Sequence, residues 1–435
     1  MTPPRDMEPA PARAPAFSRT DLRVVFLLVL GYSSAYLGRL DMGASILPMS
    51  ASLGWSNETL GSVVSCFFVA YACGQLASGV LAHFFDPFWS FGLALAGSAL
   101  CNLAVTFAPG PAAMRAIWFA NGALQSLLWC SLVKAMAQRV SERAMPRAIV
   151  CVCATLPIGS VAAFGSAAAG APGGFWQGTF YLAAAALGIS AALWFRLFRF
   201  PAPPAGAPAA HAAAKSYPRA TRFADGKGDA APEGPGWGPV SALVGATALA
   251  CGACGFLRDG LTTWAPKVLQ DAFGLPASIS ILLTLALPFV GLAGAFLNKR
   301  FHERQPLVSA MTTLCFAVGT AFAALALLGI RLPSLAVAVV AFAGVYLAMV
   351  MVTNAITSIF CLAYRRLFDA ALVAGIVDTV CYVGSSLAAW SLGRAVDAGA
   401  GWPRVFATLA VSGLAGLAFS FLSLLLERRV AARRS

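Results

Sequence analysis

Two apolar stretches each contain an arginine: LLVLGYSSAYLGRLDM (27–42), with Arg39, and ALACGACGFLRDGLTTW (248–264), with Arg258. Each stretch belongs to the first long apolar run of its own half of the 435-residue chain. An arginine inside a membrane-spanning segment is costly and usually marks the path of a substrate or an ion. Two arginines at matching places in two halves indicate a pseudosymmetric pair that faces one central, anion-attracting cavity.

The composition is that of an integral membrane protein. Hydrophobic residues make up 59% of the chain and charged residues 11%, whereas a soluble domain carries about 25% charged residues. Twelve apolar runs lie between residues 22 and 426, and each is about 18 residues or longer, enough for a helix to cross a bilayer. The sequence therefore predicts an all-α membrane protein with twelve transmembrane helices.

Basic residues are distributed unevenly along the chain, whose net charge is +13. They cluster at the termini and in alternate loops, which is the positive-inside pattern. This pattern predicts that both termini are cytoplasmic, and it argues against nucleic acid as the reason for the positive charge. The Ala- and Arg-rich composition favours a bacterial inner membrane, that is, a plasma membrane. The clusters include Lys134, Arg139, Arg143 and Arg147, then Lys299, Arg300 and Arg304, and finally Arg428, Arg429, Arg433 and Arg434.

A Pro-, Ala- and Gly-rich segment at 198–237 interrupts the apolar pattern and predicts a flexible cytoplasmic linker. It separates a six-helix bundle at 22–197 from a second one at 238–427. Residues 1–21 are predicted to form a disordered cytoplasmic N-terminus, and residues 428–435 a basic C-terminal tail. Two linked six-helix bundles are the layout of the major facilitator fold, in which substrate binds near the midplane between the halves.

The first apolar run carries a candidate anion site. Tyr32, Tyr36 and Arg39 are spaced by four and three residues, so they share one helix face. A guanidinium group suits bidentate capture of a phosphate or carboxylate, and the tyrosines could donate hydrogen bonds beside it. The structural alternative is an arginine that snorkels to the membrane surface from a helix end. The repetition of the pattern at Arg258 favours the functional interpretation.

Three aspartates are candidates for coupling transport to protons: Asp41, Asp259 and Asp378. Asp259 follows Arg258 directly, and adjacent helical side chains diverge by about 100°, so these two are expected to point apart. The aspartates could neutralise the arginines, carry protons or pair with the opposite bundle. Asp41 could instead lie near the outer end of its helix, and Asp378 could pair with another helix for structure alone.

Further polar and aromatic residues in the apolar runs are predicted to shape the same cavity. Asn121, Gln125 and Trp129 are each four residues apart and form one stripe, which is not expected to face lipid. The remaining candidates are isolated within their own runs or lie one turn from another polar residue. Together, these additional substrate-binding candidates are Gln75, Asn121, Gln125, Trp129, Trp264 and Tyr382.

These residues and their neighbours resemble the organophosphate:phosphate antiporter family of the major facilitator superfamily. The resemblance implies that Arg39 and Arg258 bind substrate phosphate and that inorganic phosphate is the counter-substrate. Two basic groups of the family's glycerol-3-phosphate transporters are replaced here by Gln75 and Leu156, so a small monoanion becomes a candidate beside a dianionic phosphate ester. The likeness is strongest at Tyr36–Asp41, at Leu60-Gly61 through Tyr71 to Gly79, at Asn121–Gln125 with Trp129, and at Leu257–Gly260 with Trp264 and Pro266.

The sequence thus predicts a secondary transporter that moves a small organic anion by rocker-switch alternating access. Two facing guanidinium groups without an anion would repel each other, which predicts obligatory exchange. The alternatives are a proton-coupled symporter of a small carboxylate and a transporter-like ligand sensor; ligand binding without uptake would identify the sensor.

The sequence does not predict an enzyme, because it contains no ATP-binding loop, no HExxH motif and no nucleophile–base constellation. No cofactor or metal is expected, since the CxxC spacing of Cys251 and Cys254 lacks a second pair or a nearby histidine and fits small apolar residues. The expected partners are a small anionic metabolite, the lipid bilayer, and phosphate or protons as coupling species. A monomer that binds no nucleic acid is expected.

Overall fold

The computed structural model describes residues 17–81, 86–198, 237–304, 307–364 and 370–432. Within these ranges the secondary structure is helical and contains no strand. Twelve of the helical segments are long and apolar enough to cross a membrane. The prediction of an all-α protein with twelve transmembrane helices is therefore confirmed.

The first half begins with a capped helix. The Ser18 hydroxyl accepts a hydrogen bond from the Asp21 amide, and the Asp21 carboxylate accepts one from the Ser18 amide, which is a capping box. The helix consequently starts inside the predicted N-terminal segment 1–21, of which residues 1–16 lie outside the described ranges. The helices of this half are α1 (Arg19–Ala44), α2 (Ile46–Leu53), α3 (Asn57–Leu81), α4 (Pro87–Val105), α5 (Pro111–Arg139), α6 (Met145–Cys153), α7 (Thr155–Gly170) and α8 (Gln177–Leu197).

The second half repeats this layout. The predicted linker, 198–237, lies outside the described residues apart from its two end residues, and the last helix continues into the predicted tail as far as Ala432. One π-helical turn, Ala355–Phe360, interrupts the tenth span. The helices are α9 (Trp237–Phe273), α10 (Ala277–Thr284), α11 (Ala286–Arg304), α12 (Val308–Arg331), α13 (Leu335–Asn354), α14 (Cys361–Ala363), α15 (Ala370–Asp397) and α16 (Gly401–Ala432).

The two halves pack most closely where α3 lies against α15. Glycine makes this approach possible, because a methyl group at Gly61 would overlap the carbonyl oxygen of Ala389. A methyl group at Gly393 would likewise lie 2.6 Å from the carbonyl oxygen of Asn57. Small residues at such contacts are the usual means by which transmembrane helices approach each other.

The halves also meet at one end of the molecule, here called the turn end, which contains the turns at 54–56, 174–176 and 274–276. There α7 packs against α10, whereas α6, at the opposite end of the same span, packs mainly against α1 and α7. At the turn end, Asp397 accepts hydrogen bonds from the backbone amides of Asn57 (3.2 Å) and Glu58 (2.6 Å). A carboxylate of the second half thus caps the first turn of α3 in the first half.

Candidate functional site

Arg39 is surrounded by aromatic rings and one amide. Its guanidinium carbon lies 4.4 Å from the ring centroid of Tyr71, 5.4 Å from that of Tyr36 and 5.6 Å from that of Phe67. Its Nε donates a hydrogen bond to Oε1 of Gln125 at 3.2 Å. Across the described ranges, no carboxylate lies within ion-pair distance of Arg39. The positive charge is therefore met by π faces and an amide oxygen, not by a counter-ion.

A kink in α1 places Arg39. Gly38 has φ −78° and ψ 16°, outside the helical range. The Met42 amide, within the same turn, donates to Oδ1 of Asp41 at 2.7 Å. The Gly38 carbonyl accepts from Nδ2 of Asn121 and Nε2 of Gln125, both at 3.0 Å. Gln125 therefore fixes the kink with its nitrogen and the arginine with its oxygen.

Arg258 has a counter-ion of its own. Its Nε and Nη2 donate to Oδ1 and Oδ2 of Asp259 at 2.7 and 2.9 Å, a bidentate ion pair. Its Nη1 donates to Oγ1 of Thr353 at 2.8 Å, and the Ser385 hydroxyl donates to Oδ2 of Asp259 at 2.6 Å. The prediction that Arg258 and Asp259 point apart is wrong. Their Cβ atoms diverge, but the long arginine side chain folds back to reach the neighbouring carboxylate.

The two predicted arginines consequently differ in whether a carboxylate compensates their positive charge. The carboxylate of Asp259 neutralises Arg258, and this pair is largely buried, with its side chains 15% and 16% exposed. Arg39 has no such partner in the described part of the chain. Of these two guanidinium groups, one is therefore paired with a carboxylate and the other is not, within the described residues.

The two arginine clusters are connected through the contact between α3 and α15. The ring of Tyr71, which stacks on Arg39, lies 4.6 Å from the ring of Tyr382 on α15. Tyr382 precedes Ser385 by three residues on one helix face, and Ser385 binds Asp259. Tyr382 therefore brings the second half into contact with the Arg39 cluster. Binding of substrate by Tyr382 stays a prediction.

The remaining candidates of the first half extend the aromatic and polar surroundings of Arg39. Tyr32 is buried, and its ring centroid lies 5.1 Å from that of Tyr36 and 5.7 Å from that of Trp129. Trp129 is 42% exposed. Gln75 is buried and donates from Nε2 to the Tyr71 hydroxyl at 3.4 Å.

Trp264 occupies a packed contact outside these clusters. Its ring is buried and lies against Gly61 and Gly393 at the junction of α3 and α15, with the Trp402 ring 6.5 Å away. The glycines leave room for the indole, so the evident role of Trp264 is to fill the interface between the halves. Direct binding of substrate by Trp264 stays a prediction.

Two of the three candidate aspartates have few partners. Asp41 is fully buried; Oδ1 accepts from the Met42 amide, and Oδ2 has no hydrogen-bond partner in the described structure. Asp378 lies on α15, one turn before Tyr382, and is partly buried. No described residue donates a hydrogen bond to its carboxylate within the ranges given above.

Several residues of the site could not be selected from the sequence. Tyr71 and Phe67 contact Arg39 from another helix. Tyr71 is indicated by its spacing of four residues from Gln75, but aromatic residues are too frequent in apolar helices to single out Phe67. Thr353 could have been selected from the sequence, because Thr353 and Asn354 form a polar pair within a strongly apolar span. Ser385 could not be selected in this way, since serines are common in such helices.

Twelve spans in two halves, with charged and polar groups meeting at the junction between them, define a transporter of the major facilitator type. The profile described as Major Facilitator Superfamily matches residues 28–389. The chain therefore belongs to the Major Facilitator Superfamily and is a multi-pass membrane transporter.

Solved structures agree on the fold. A bacterial homolog to the human lysosomal transporter Spinster, in an inward-facing and unoccupied conformation, superposes with a TM-score of 0.68 at 14% identity, covering 96% of this chain and 98% of that one. The nucleoside transporter NupG gives a TM-score of 0.62 at 13% identity, covering 96% and 99%. At such low identities the likeness shows the fold alone.

Curated relatives share shorter segments. "Probable anion transporter 6, chloroplastic" of Arabidopsis thaliana is 27% identical over 180 residues, which are 39% of this chain and 32% of the relative. "Probable anion transporter 1, chloroplastic" of Oryza sativa subsp. japonica is 39% identical over 59 residues, 14% of this chain and 11% of the relative. "Sodium-dependent phosphate transport protein 1, chloroplastic" of Arabidopsis thaliana is 37% identical over 59 residues, 14% and 12%. The chain thus matches at most 32% of the length of these relatives.

Proposed function

We propose that the protein transports a small organic anion across a bilayer by alternating access, with Arg39 as the principal anion-binding group. The observation that carries this proposal is the guanidinium of Arg39, which lies among aromatic faces with no carboxylate partner in the described chain. Gln125 accepts from Nε, so the two terminal nitrogens can take the paired oxygens of a carboxylate or phosphate. Family membership and relatives named as anion transporters support the same conclusion.

Arg258 is proposed as a secondary contact from the other half. Asp259 already takes two of its nitrogens, and Thr353 takes the third. A substrate oxygen therefore meets a neutral pair rather than a free cation. This charge balance favours a monoanion, such as a small carboxylate or a singly charged phosphate compound, over a dianionic organophosphate.

Exchange for inorganic phosphate is the mode that the family resemblance implies, and we retain it as part of the proposal. A relative of this chain is named as a sodium-dependent phosphate transport protein, which supports phosphate as a species to test. We further propose a monomer in a bacterial plasma membrane, with both termini cytoplasmic and the linker 198–237 between bundles 22–197 and 238–427.

Proton-coupled symport of a small carboxylate is a second candidate mode. It is favoured by Asp378 and by Oδ2 of Asp41, which receive no hydrogen bond within the described structure. Ionisable groups of this kind inside a transporter often form a proton path. A pH gradient that drives uptake into vesicles without internal phosphate would identify this mode.

The proposal is tested by reconstituting the full chain into liposomes loaded with phosphate or lactate and measuring exchange of the labelled anions. Wild-type protein should exchange at least one of them, and Arg39→Ala should abolish the exchange. Arg404→Ala is the matched control, because Arg404 is exposed at the start of α16. The absence of exchange by wild-type protein, or full exchange by Arg39→Ala, would refute the proposal.

A further inference from the structure

Reorientation of an empty carrier has an electrostatic cost. In alternating access the halves rock around a fixed central site, and the binding groups lose water when both ends are closed. An uncompensated charge is expensive in that dehydrated state. Two bare, facing guanidinium groups would add their mutual repulsion and would confine the carrier to exchange.

The structure removes one of these two charges. Both oxygens of Asp259 are occupied by Arg258, and Oδ2 also accepts from Ser385. The third guanidinium nitrogen of Arg258, Nη1, donates to the hydroxyl of Thr353. All four residues belong to α9, α13 and α15 of the second half. The neutral pair can therefore persist while the halves rock, because none of its bonds crosses between them.

The charge that remains is also contained within one half. Arg39 and Tyr36 lie on α1, Phe67 and Tyr71 on α3, and Gln125 on α5. Their contacts spread the guanidinium charge over three rings and one amide oxygen. Of the two guanidinium groups, only that of Arg39 is consequently left without a carboxylate partner in the described chain, so two bare guanidinium groups no longer oppose each other.

From these contacts, we infer that Asp259 is an internal counter-anion for Arg258 that lets the carrier reorient without substrate, so that it performs net transport as well as exchange. This inference rests on the proposed function and adds the mode of transport to it. Asp259 acts here through Arg258 and is a positioning residue for charge. Its removal should therefore change the ratio of net uptake to exchange more than it changes exchange itself.

The test uses the full-length protein in liposomes, with labelled lactate and labelled phosphate as probes. Net uptake is measured into vesicles free of either anion, with potassium and valinomycin present to prevent a diffusion potential. Exchange is measured into vesicles loaded with the same anion. Wild-type protein should show both activities. In Asp259→Asn the ratio of net uptake to exchange should fall about tenfold or more, the usual size of such couplings.

A double variant separates charge from folding. Arg258→Gln combined with Asp259→Asn restores a neutral pair, and its ratio of net uptake to exchange should return towards the wild-type value. Wild-type protein that only exchanges, an unchanged ratio in Asp259→Asn, or a double variant that only exchanges would overturn the inference while leaving anion transport intact. If Asp259→Asn fails to fold, the ratios of net uptake to exchange for the wild-type protein and the double variant still test the inference. The absence of any exchange by wild-type protein would refute the proposed function, and the inference with it.

Discussion

A carboxylate placed beside Arg39 should neutralise its charge, as Asp259 neutralises that of Arg258, and should thereby weaken anion binding. Gln125→Glu makes this change with almost no change in side-chain volume. At the observed 3.2 Å between Nε and Oε1, Coulomb's law with an effective dielectric constant of about 20 gives about 5 kcal/mol of attraction. Desolvation of the new carboxylate offsets part of this attraction, leaving about 2–3 kcal/mol of competition with a bound anion. The KM for anion exchange should therefore rise by about 30- to 160-fold.

The control for this substitution is Gln125→Leu, which removes the amide without adding charge. It loses the hydrogen bond to Arg39 and one of the donors to the Gly38 carbonyl, but Asn121 still donates to that carbonyl. We expect its KM to rise by about tenfold, the value of one charge-assisted hydrogen bond. Initial rates of exchange in liposomes give the KM of each variant, and thermal unfolding in detergent checks that both variants are folded. An equal or smaller rise for Gln125→Glu would refute the charge argument.

Two further substitutions test the junction between the halves. Gly61→Ala should abolish transport while the protein remains folded, because the added methyl group overlaps the Ala389 carbonyl oxygen. The control is Gly43→Ala, because no atom lies within 4 Å of a methyl group added there. Normal transport by Gly61→Ala would show that α3 and α15 do not need this close approach. Asp397→Ala should weaken closure of the turn end by about 1 kcal/mol, the value of a helix cap, because Asp397 holds the amides of Asn57 and Glu58. Hydrogen–deuterium exchange of the first turn of α3 should then become faster, by about fivefold, and unchanged exchange would mean that this contact does not hold the end closed.

The fold could be predicted from the sequence because each transmembrane helix is encoded locally. A run of apolar residues long enough to cross the bilayer must form a helix, since lipid offers no partners for backbone polar groups. The start of α1 at Arg19 differs from the predicted boundary because the Ser18–Asp21 capping box stabilises an extra polar turn. Arg19, Asp21 and Arg23 lower the local hydropathy, so the apolar pattern begins later than the helix does.

The site could be predicted only where its members share a helix. Tyr32, Tyr36 and Arg39 lie on one face of α1, as their spacing indicates, but the closest ring to Arg39 is that of Tyr71 on α3. Neutralisation of Arg258 by Asp259 was one of several alternatives, and the spacing argued against it because helical geometry fixes the direction of Cβ and not the path of a long side chain. The kink at Gly38 has no sequence signature of its own, since it depends on amide donors from α5.

The central claim is that Arg39 carries the anion while the Arg258–Asp259 pair is nearly neutral. The most direct measurement compares lactate and phosphate exchange by Arg39→Ala with exchange by the double variant Arg258→Gln/Asp259→Asn. We predict that Arg39→Ala reduces exchange by about 100-fold or more, as expected for loss of a charge-assisted bidentate contact. The double variant should lose about tenfold or less, the worth of one modest polar contact. Equal losses in the two variants, or a larger loss in the double variant, would contradict the account.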